Sequence, residues 1–144
     1  MELLVVALVL VIFAAIVTAS MVDADKESKI SAARHTVKMI QKEINRHRDV
    51  TGSWPSNIDL AWFRHSQKPV NPFVPNHPND VRSDVDGANS ATKQHPDNKT
   101  TQAHPFWYNR VNGAFRIRVP AQATNSETLA LYNAANGVNL PTGP

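Results

Sequence analysis

Residues 1–21, MELLVVALVLVIFAAIVTASM, decide how the rest of the chain is interpreted. From Leu3 to Val17 every residue is Leu, Val, Ala, Ile or Phe, and no charge occurs between Glu2 and Asp23. About 20 apolar residues, rising about 1.5 Å per residue as a helix, would cross a hydrocarbon core of about 30 Å. A single segment in lipid satisfies its own backbone polar groups only as a helix. The stretch therefore predicts a transmembrane helix.

Glu2 is the unusual residue of this stretch. A carboxylate at the end of a lipid-spanning helix costs free energy unless a cation meets it. Three interpretations are open: a cleaved secretory signal, a plain single-pass anchor, and a helix whose Glu2 pairs with a cation of a neighbouring copy. A signal peptide opens with a positive flank, and this flank carries no Lys or Arg, which argues against the first interpretation. The third makes the helix an assembly surface.

Residues 23–51 are predicted to continue the helix as an amphipathic stalk. Neither Pro nor Gly interrupts the chain before Gly52, which marks the end of the helix together with Pro55. Apolar residues recur at steps of three and four, as expected for one buried stripe. We expect Trp54 to fold back onto the helix as a core aromatic. The stripe consists of Ile30, Ala33, Val37, Ile40 and Ile44, of which the last three are expected to pack on the head.

Residues 106–119 carry the clearest strand pattern of the remaining chain. Two short apolar runs flank Asn112-Gly113, a pair that favours a type I′ hairpin turn. In the second run, apolar residues alternate with Arg116 and Arg118, which predicts one buried face and one solvated face. The alternating apolar residues are Phe115, Ile117 and Val119.

The rest of the head shows weaker patterns. Four prolines between residues 69 and 78 indicate extended, irregular chain. The sequence Thr124-Asn125-Ser126-Glu127 fits a capping box, because Thr and Glu are three residues apart before an apolar run. It predicts a short second helix that ends near Gly137.

Glu-Leu-Leu-Val-Val at residues 2–6, followed by the apolar run, resembles the N-terminus of type IV pilins and of type II secretion pseudopilins. The resemblance extends through residues 28–55, which look like the helix of the major pseudopilin group, and more locally to residues 69–73 and 106–116. It implies that Glu2 faces the N-terminal amine of the adjacent subunit in a filament. The family's basic leader and the Phe after it do not precede Glu2 here. Either the start is assigned too far downstream, or the chain is not processed by prepilin peptidase; we expect the first, with the peptidase acting on the longer chain.

One acidic segment of the head has the residue types of a cation site. Asp84 and Asp86 are oxygen ligands at alternate positions, and Gly87 follows them, as in a fragment of a calcium loop. The resemblance adds interest, because the major pseudopilins carry calcium in loops of the head. The pattern lacks a closing bidentate Glu, so a solvated acidic loop is the competing interpretation.

Composition narrows the classes of function. The net charge of +3 is far below that of a domain with a dense Lys/Arg face, so we expect no nucleic-acid partner. The chain has no cysteine, which excludes disulfides and thiolate metal sites. No catalytic signature is present, and we expect that the protein is not an enzyme.

Together these observations predict an α+β, pilin-like protein with a long helix packed on a small antiparallel sheet. Its parts are a transmembrane and assembly helix (1–22), an amphipathic stalk (23–51) and a loop-rich β head (52–144). The resemblance implies a single-pass protein of the bacterial inner membrane with its head in the periplasm. It would polymerise with its own copies and other pseudopilins on an inner-membrane assembly platform, serving secretion or a pilus. The alternative is a membrane-tethered binding module that uses Trp62, Phe63, Arg116 and Arg118.

Overall fold

The computed structural model describes residues 2–63, 69–75, 91–101 and 104–141. Within this part the side chains of residues 2–4, 14–20, 22 and 60 are not described. The described elements, in chain order, are helix α1 (Glu2–Thr51), a 3₁₀ turn (Leu60–Trp62), strands β1 (Phe106–Asn109) and β2 (Ala114–Ile117), and helix α2 (Asn125–Asn136). The α+β class and the antiparallel pairing are therefore as predicted.

Helix α1 is one uninterrupted helix of 50 residues, which corresponds to a length of about 75 Å. It ends where the sequence indicated. Gly52 adopts a left-handed φ of 77°, and its N–H donates to the carbonyl of Arg48 at 2.7 Å. Thr51 also donates its hydroxyl to the carbonyl of His47 at 2.8 Å. The bond from Gly52 satisfies a carbonyl group that the last helical turn would otherwise leave unpaired.

The two strands form a hairpin in which Phe106 faces Ile117 and Asn109 faces Ala114. The predicted two-residue type I′ turn is wrong, because four residues, 110–113, connect the strands. The N–H of Gly113 donates to the carbonyl of Asn109 at 2.7 Å, which closes a wider turn. The Asn109 side chain accepts from the Val111 N–H at 2.9 Å and stabilises that wider form.

The core lies between one face of the hairpin and the two helices. Phe106, Tyr108, Phe115 and Ile117 are fully buried on this face, and cross-strand pairing places them together. The stalk stripe and α2 cover them, and the buried residues of the helices are Ala33, Val37, Ile40, Ile44, Leu131, Tyr132 and Ala135. Burial of this apolar surface is what holds α1 to the head.

The opposite face of the hairpin is covered as well, which corrects the prediction of a solvated arginine face. Arg118 is fully buried, and its Nε donates to the carbonyl of Asn98 at 2.9 Å. Asn109, on the same face, donates its side-chain amide to the carbonyl of Lys93 at 2.9 Å. Residues 91–101 therefore lie over this face. Arg116 is only half-buried, and burial lowers the pKa of its guanidinium.

Helix α2 begins and ends as the sequence predicted. The Thr124 side chain accepts from the backbone of Glu127, and the Glu127 side chain accepts from the backbone of Thr124, which together form the capping box. Gly137 ends the helix in the left-handed conformation. Arg34 of α1 then donates Nε and Nη2 to the carbonyl of Ala134, at 3.1 and 2.8 Å, and joins the end of α2 to the stalk.

Candidate functional site

The N-terminal part of α1 presents apolar side chains to solvent on all sides. Val5, Leu8, Val11 and Phe13 are 61, 63, 68 and 62% exposed, and they occupy different faces of the helix. A helix that is apolar all round needs a protein or lipid environment on every side. Among the described residues, the structure contains no helix both long and apolar enough to cross a membrane.

Glu2 is the first residue of α1. Its side chain lies outside the described part of the structure, so its pairing with a neighbouring subunit stays a prediction. The backbone still fixes one relationship. Glu2, the exposed residues 5–13 and the stalk belong to the same continuous helix.

The outer half of α1 is fixed in the head. Ile40 and Ile44 are fully buried and Val37 is buried to 6% exposure. Their steps of three and four residues place them over the hairpin, as a helix stripe requires. The stalk therefore packs on the head through this stripe, while residues 5–13 of the same helix stay exposed.

Trp54 connects the chain after α1 to the hairpin loop. It is half-buried and packs against the core. A Cβ atom at Gly113 would lie 2.3 Å from Cε3 of the Trp54 ring, so the loop approaches the ring as closely as only glycine allows. The guanidinium of Arg48 lies 4.3 Å from the ring centre in a cation–π contact. Trp54 therefore serves packing.

Two amide side chains close the outer edge of β2, and the periodicity of apolar residues did not indicate either of them. Gln41 of α1 donates Nε2 to the carbonyl of Gly113 at 2.9 Å, and its Oε1 accepts from the N–H of Phe115 at 3.0 Å. Asn136 of α2 accepts from the N–H of Ile117 at 2.8 Å and donates to its carbonyl at 2.9 Å. Each side chain mimics the peptide group of a neighbouring strand.

This arrangement removes β2 as a surface for strand addition. The carbonyl of Phe115, between the two amides, accepts from Nη1 of Arg116 at 2.7 Å. An unpaired strand edge is the usual template for pairing with another chain. Because the β2 edge is already paired with side chains, self-association through this edge is disfavoured.

The four residues of the alternative binding surface do not converge. Phe63 is a core residue at 8% exposure, and Arg118 is fully buried behind residues 91–101. Trp62 lies against the ring of His47, with 5.5 Å between ring centres. Arg116 lies elsewhere, in a groove beside α1. A ligand surface that joins these four side chains is therefore not formed.

The groove beside α1 has a volume of about 700 Å³ and lies between the stalk and the end of α2. Its lining is rich in hydrogen-bond donors and cations, with Asp49 as its acidic residue. The cationic residues are Lys38, Lys42 and Arg46 of α1 and Arg116 of β2. The first three recur at steps of four along α1.

The calcium candidates Asp84 and Asp86 lie outside the described residues. Across the parts of the chain that the structure describes, no three His, Asp or Glu side chains lie close enough together to hold a metal ion. The calcium site thus stays a prediction from the sequence.

No family model, curated protein or solved structure matches the chain. The resemblance to pilins and pseudopilins is therefore carried by the residues quoted above, chiefly residues 2–6 and 28–55.

Proposed function

We propose that the protein is a structural, pilin-like subunit, most similar in kind to a type II secretion pseudopilin. It is held in the bacterial inner membrane by the N-terminal end of α1, with its head in the periplasm, and polymerises through α1. The observation that carries the proposal is an exposed apolar helix end continuous with a stalk fixed in a packed head. The resemblance at residues 2–6 supports the same function.

Once α1 has been extracted from the membrane, the physical driving force for assembly is burial of its exposed apolar end. Each Å² of apolar surface removed from water contributes about 25 cal/mol. The residues of 5–13 with large apolar side chains each keep more than two fifths of their surface exposed in the single chain. Parallel copies that share these surfaces bury them together, which stabilises a bundle of α1 helices at the centre of a filament.

Glu2 supplies register in this proposal. A carboxylate among packed apolar helices is costly when unpaired and tolerable when a cation meets it. The N-terminal amine of an adjacent copy is such a cation, and it can reach Glu2 only at one axial offset. Copies at any other offset leave the charge uncompensated and are disfavoured.

The test is Glu2→Gln in the full chain, expressed in cells and followed by crosslinking of membranes and separation of multimers by size. Glutamine keeps the shape and removes the charge. We expect multimer yield to fall about tenfold, the change that a loss of ~1.4 kcal/mol produces. Asp97→Asn is the matched control, because it removes an exposed carboxylate of the head and should leave the yield unchanged.

The two possible failures differ in meaning. Unchanged multimers in Glu2→Gln would contradict the register role of Glu2. A wild-type chain that stays monomeric in the membrane at every expression level would contradict assembly itself.

A further inference from the structure

We propose that Asp23 and Glu27 of one copy dock on Lys38 and Lys42 of a neighbouring, parallel copy. This contact would set a second axial offset in the filament. The inference rests on the proposed function, because it requires copies that lie parallel, and it adds a specific surface and a specific distance to it.

The basic side of the contact is the row Lys38, Lys42 and Arg46 in the groove beside α1. Residues four apart on a helix are neighbours, and like charges at this spacing destabilise the helix. Arg46 is partly compensated by Glu43, whose Oε2 lies 2.9 Å from its Nε. Within the described residues, no carboxylate forms an ion pair with Lys38 or Lys42. Lys38 and Lys42 thus cost helix stability without a compensating ion pair inside the described part of the chain.

The lining of the groove adds a fourth cation to this row. Arg116 faces it from the hairpin, and burial lowers the pKa of its guanidinium. Asp49 is the acidic residue of the lining. Four cations against one carboxylate leave an excess of positive charge in a concave site, where attraction for a negative partner is stronger than on a flat surface.

The acidic side is the pair Asp23 and Glu27, again four residues apart and exposed. Asp25 between them is paired with Lys29 at 2.7 Å, whereas no described cation forms an ion pair with Asp23 or Glu27. The other described carboxylates of the head are used locally: Asp59 caps the 3₁₀ turn, Asp97 pairs with Lys93 and Glu127 belongs to the capping box.

The spacing of the two pairs fixes the offset. Asp23 and Lys38 are 15 residues apart, and so are Glu27 and Lys42, so one shift aligns both pairs. At 1.5 Å per residue this shift is about 22 Å. It differs from the small offset that joins Glu2 to an adjacent N-terminus, so the two contacts involve different neighbours.

An anionic lipid surface is a poorer occupant of the same groove. Lys38 follows the end of the apolar run, Val17, by 21 residues, a rise of about 31 Å along α1. Surface potentials decay over a Debye length of about 8 Å at physiological salt. Headgroups of the membrane that holds residues 3–17 therefore do not reach the row.

The first experiment uses the absence of cysteine from the chain. The double variant Asp23→Cys with Lys38→Cys is expressed as full chain, and the assembled multimers are oxidised. The two thiols lie about 22 Å apart on one straight helix, so a disulfide between them joins two copies. Asp23→Cys with Met39→Cys is the matched control, because Met39 lies at the same height but points about 100° away.

The second experiment reverses the charges. Lys38→Glu with Lys42→Glu, and separately Asp23→Lys with Glu27→Lys, should each lower multimer yield about tenfold, and the combination of all four should restore it to within about twofold. Thermal unfolding of each variant is the control that checks whether its head still folds. The loss of multimer yield in each variant that reverses only one side of the contact should be smaller at high salt, because the charged pairs are exposed.

The outcomes separate the inference from the proposed function. Multimers that persist unchanged in both reversed variants, or that crosslink equally at Met39, overturn this contact and leave assembly through α1 intact. Loss of yield that the combined variant does not restore overturns the contact as well. A wild-type chain without multimers overturns both.

Discussion

At the scale of single residues, Gly52 and Gly113 form an instructive pair. Both have a left-handed backbone, with φ of 77° and 75°. An added Cβ at Gly52 meets nothing within 4 Å, whereas one at Gly113 would lie 2.3 Å from the Trp54 ring. The same substitution therefore tests conformation alone at one site, and conformation plus a close approach at the other.

We predict that Gly52→Ala lowers the free energy of unfolding by about 1 kcal/mol, the cost of a left-handed conformation for a residue with a Cβ. Gly113→Ala should cost about 1–3 kcal/mol more, because the hairpin loop or Trp54 must move. Urea unfolding followed by tryptophan fluorescence measures both. Equal costs at the two positions would show that Trp54 yields freely and does not hold the loop.

At the scale of elements, the free edge of β2 depends on two amides. Gln41 is separated from Gly113 by 72 residues, and Asn136 from Ile117 by 19. Strand β2 thus behaves as a central strand, with β1 on one side and side chains of two helices on the other. The helices hold the sheet by hydrogen bonds as well as by apolar packing.

We predict that Gln41→Leu lowers the free energy of unfolding by about 2–4 kcal/mol, because it leaves a half-buried N–H and a carbonyl unpaired. It should also raise the tendency of the chain to associate through β2, since the edge is reopened. Chemical denaturation and light scattering measure the two effects. His35→Leu is the control, an exposed position of the same helix that should change stability by less than about 0.5 kcal/mol.

A stable Gln41→Leu variant would show that water replaces the amide at the strand edge without cost. Association that rises without loss of stability would separate the two roles, and would leave only the protection of the edge.

The sequence predicted the elements that local pattern defines. The length of α1, the stripe Val37–Ile40–Ile44, the pairing of two strands and the capping box of Thr124 are all set by residues near one another in the chain. Contacts between segments that lie far apart in the chain could not be predicted from these local patterns. Arg118 alternates like a solvated residue, and only the position of residues 91–101 buries it. The four-residue turn likewise depends on Asn109 and on Trp54 against Gly113.

At the scale of the whole molecule, both tyrosines of the chain are in the core. The hydroxyl of Tyr108 donates to the carbonyl of Pro55 at 2.8 Å. Burial raises the pKa of the Tyr108 phenol and that of the Tyr132 phenol, the latter against the opposing charges of Arg116 and Arg118. Neither phenol ionises in the folded head at the pH where an exposed tyrosine does.

The consequence is a loss of stability at alkaline pH. Above about pH 10 the unfolded chain releases both phenolic protons and the folded chain retains them, so the unfolded state is favoured. The free energy of unfolding should fall by about 1.4 kcal/mol per pH unit for each tyrosine. Denaturant titrations at several pH values, with tyrosinate absorbance and circular dichroism recorded together, measure this slope.

Tyr108→Phe should reduce the tyrosine contribution to that slope by half and cost some stability at neutral pH through the lost bond to Pro55. Tyrosinate absorbance that appears near pH 10 while circular dichroism stays native would contradict the burial of these phenols.

Because α1 is one continuous helix, a change of its tilt at the head moves its N-terminal end sideways. The stretch from Ala33 to Ile44 packs on the head. Val5 lies 28 residues before Ala33, which corresponds to about 42 Å along the helix axis. A tilt of about 5° at this packed stretch would move Val5 sideways by about 4 Å, roughly the distance between two methyl carbons in van der Waals contact. The packing of the stalk side chains under the hairpin thus limits how accurately the N-terminal ends of two α1 helices can align.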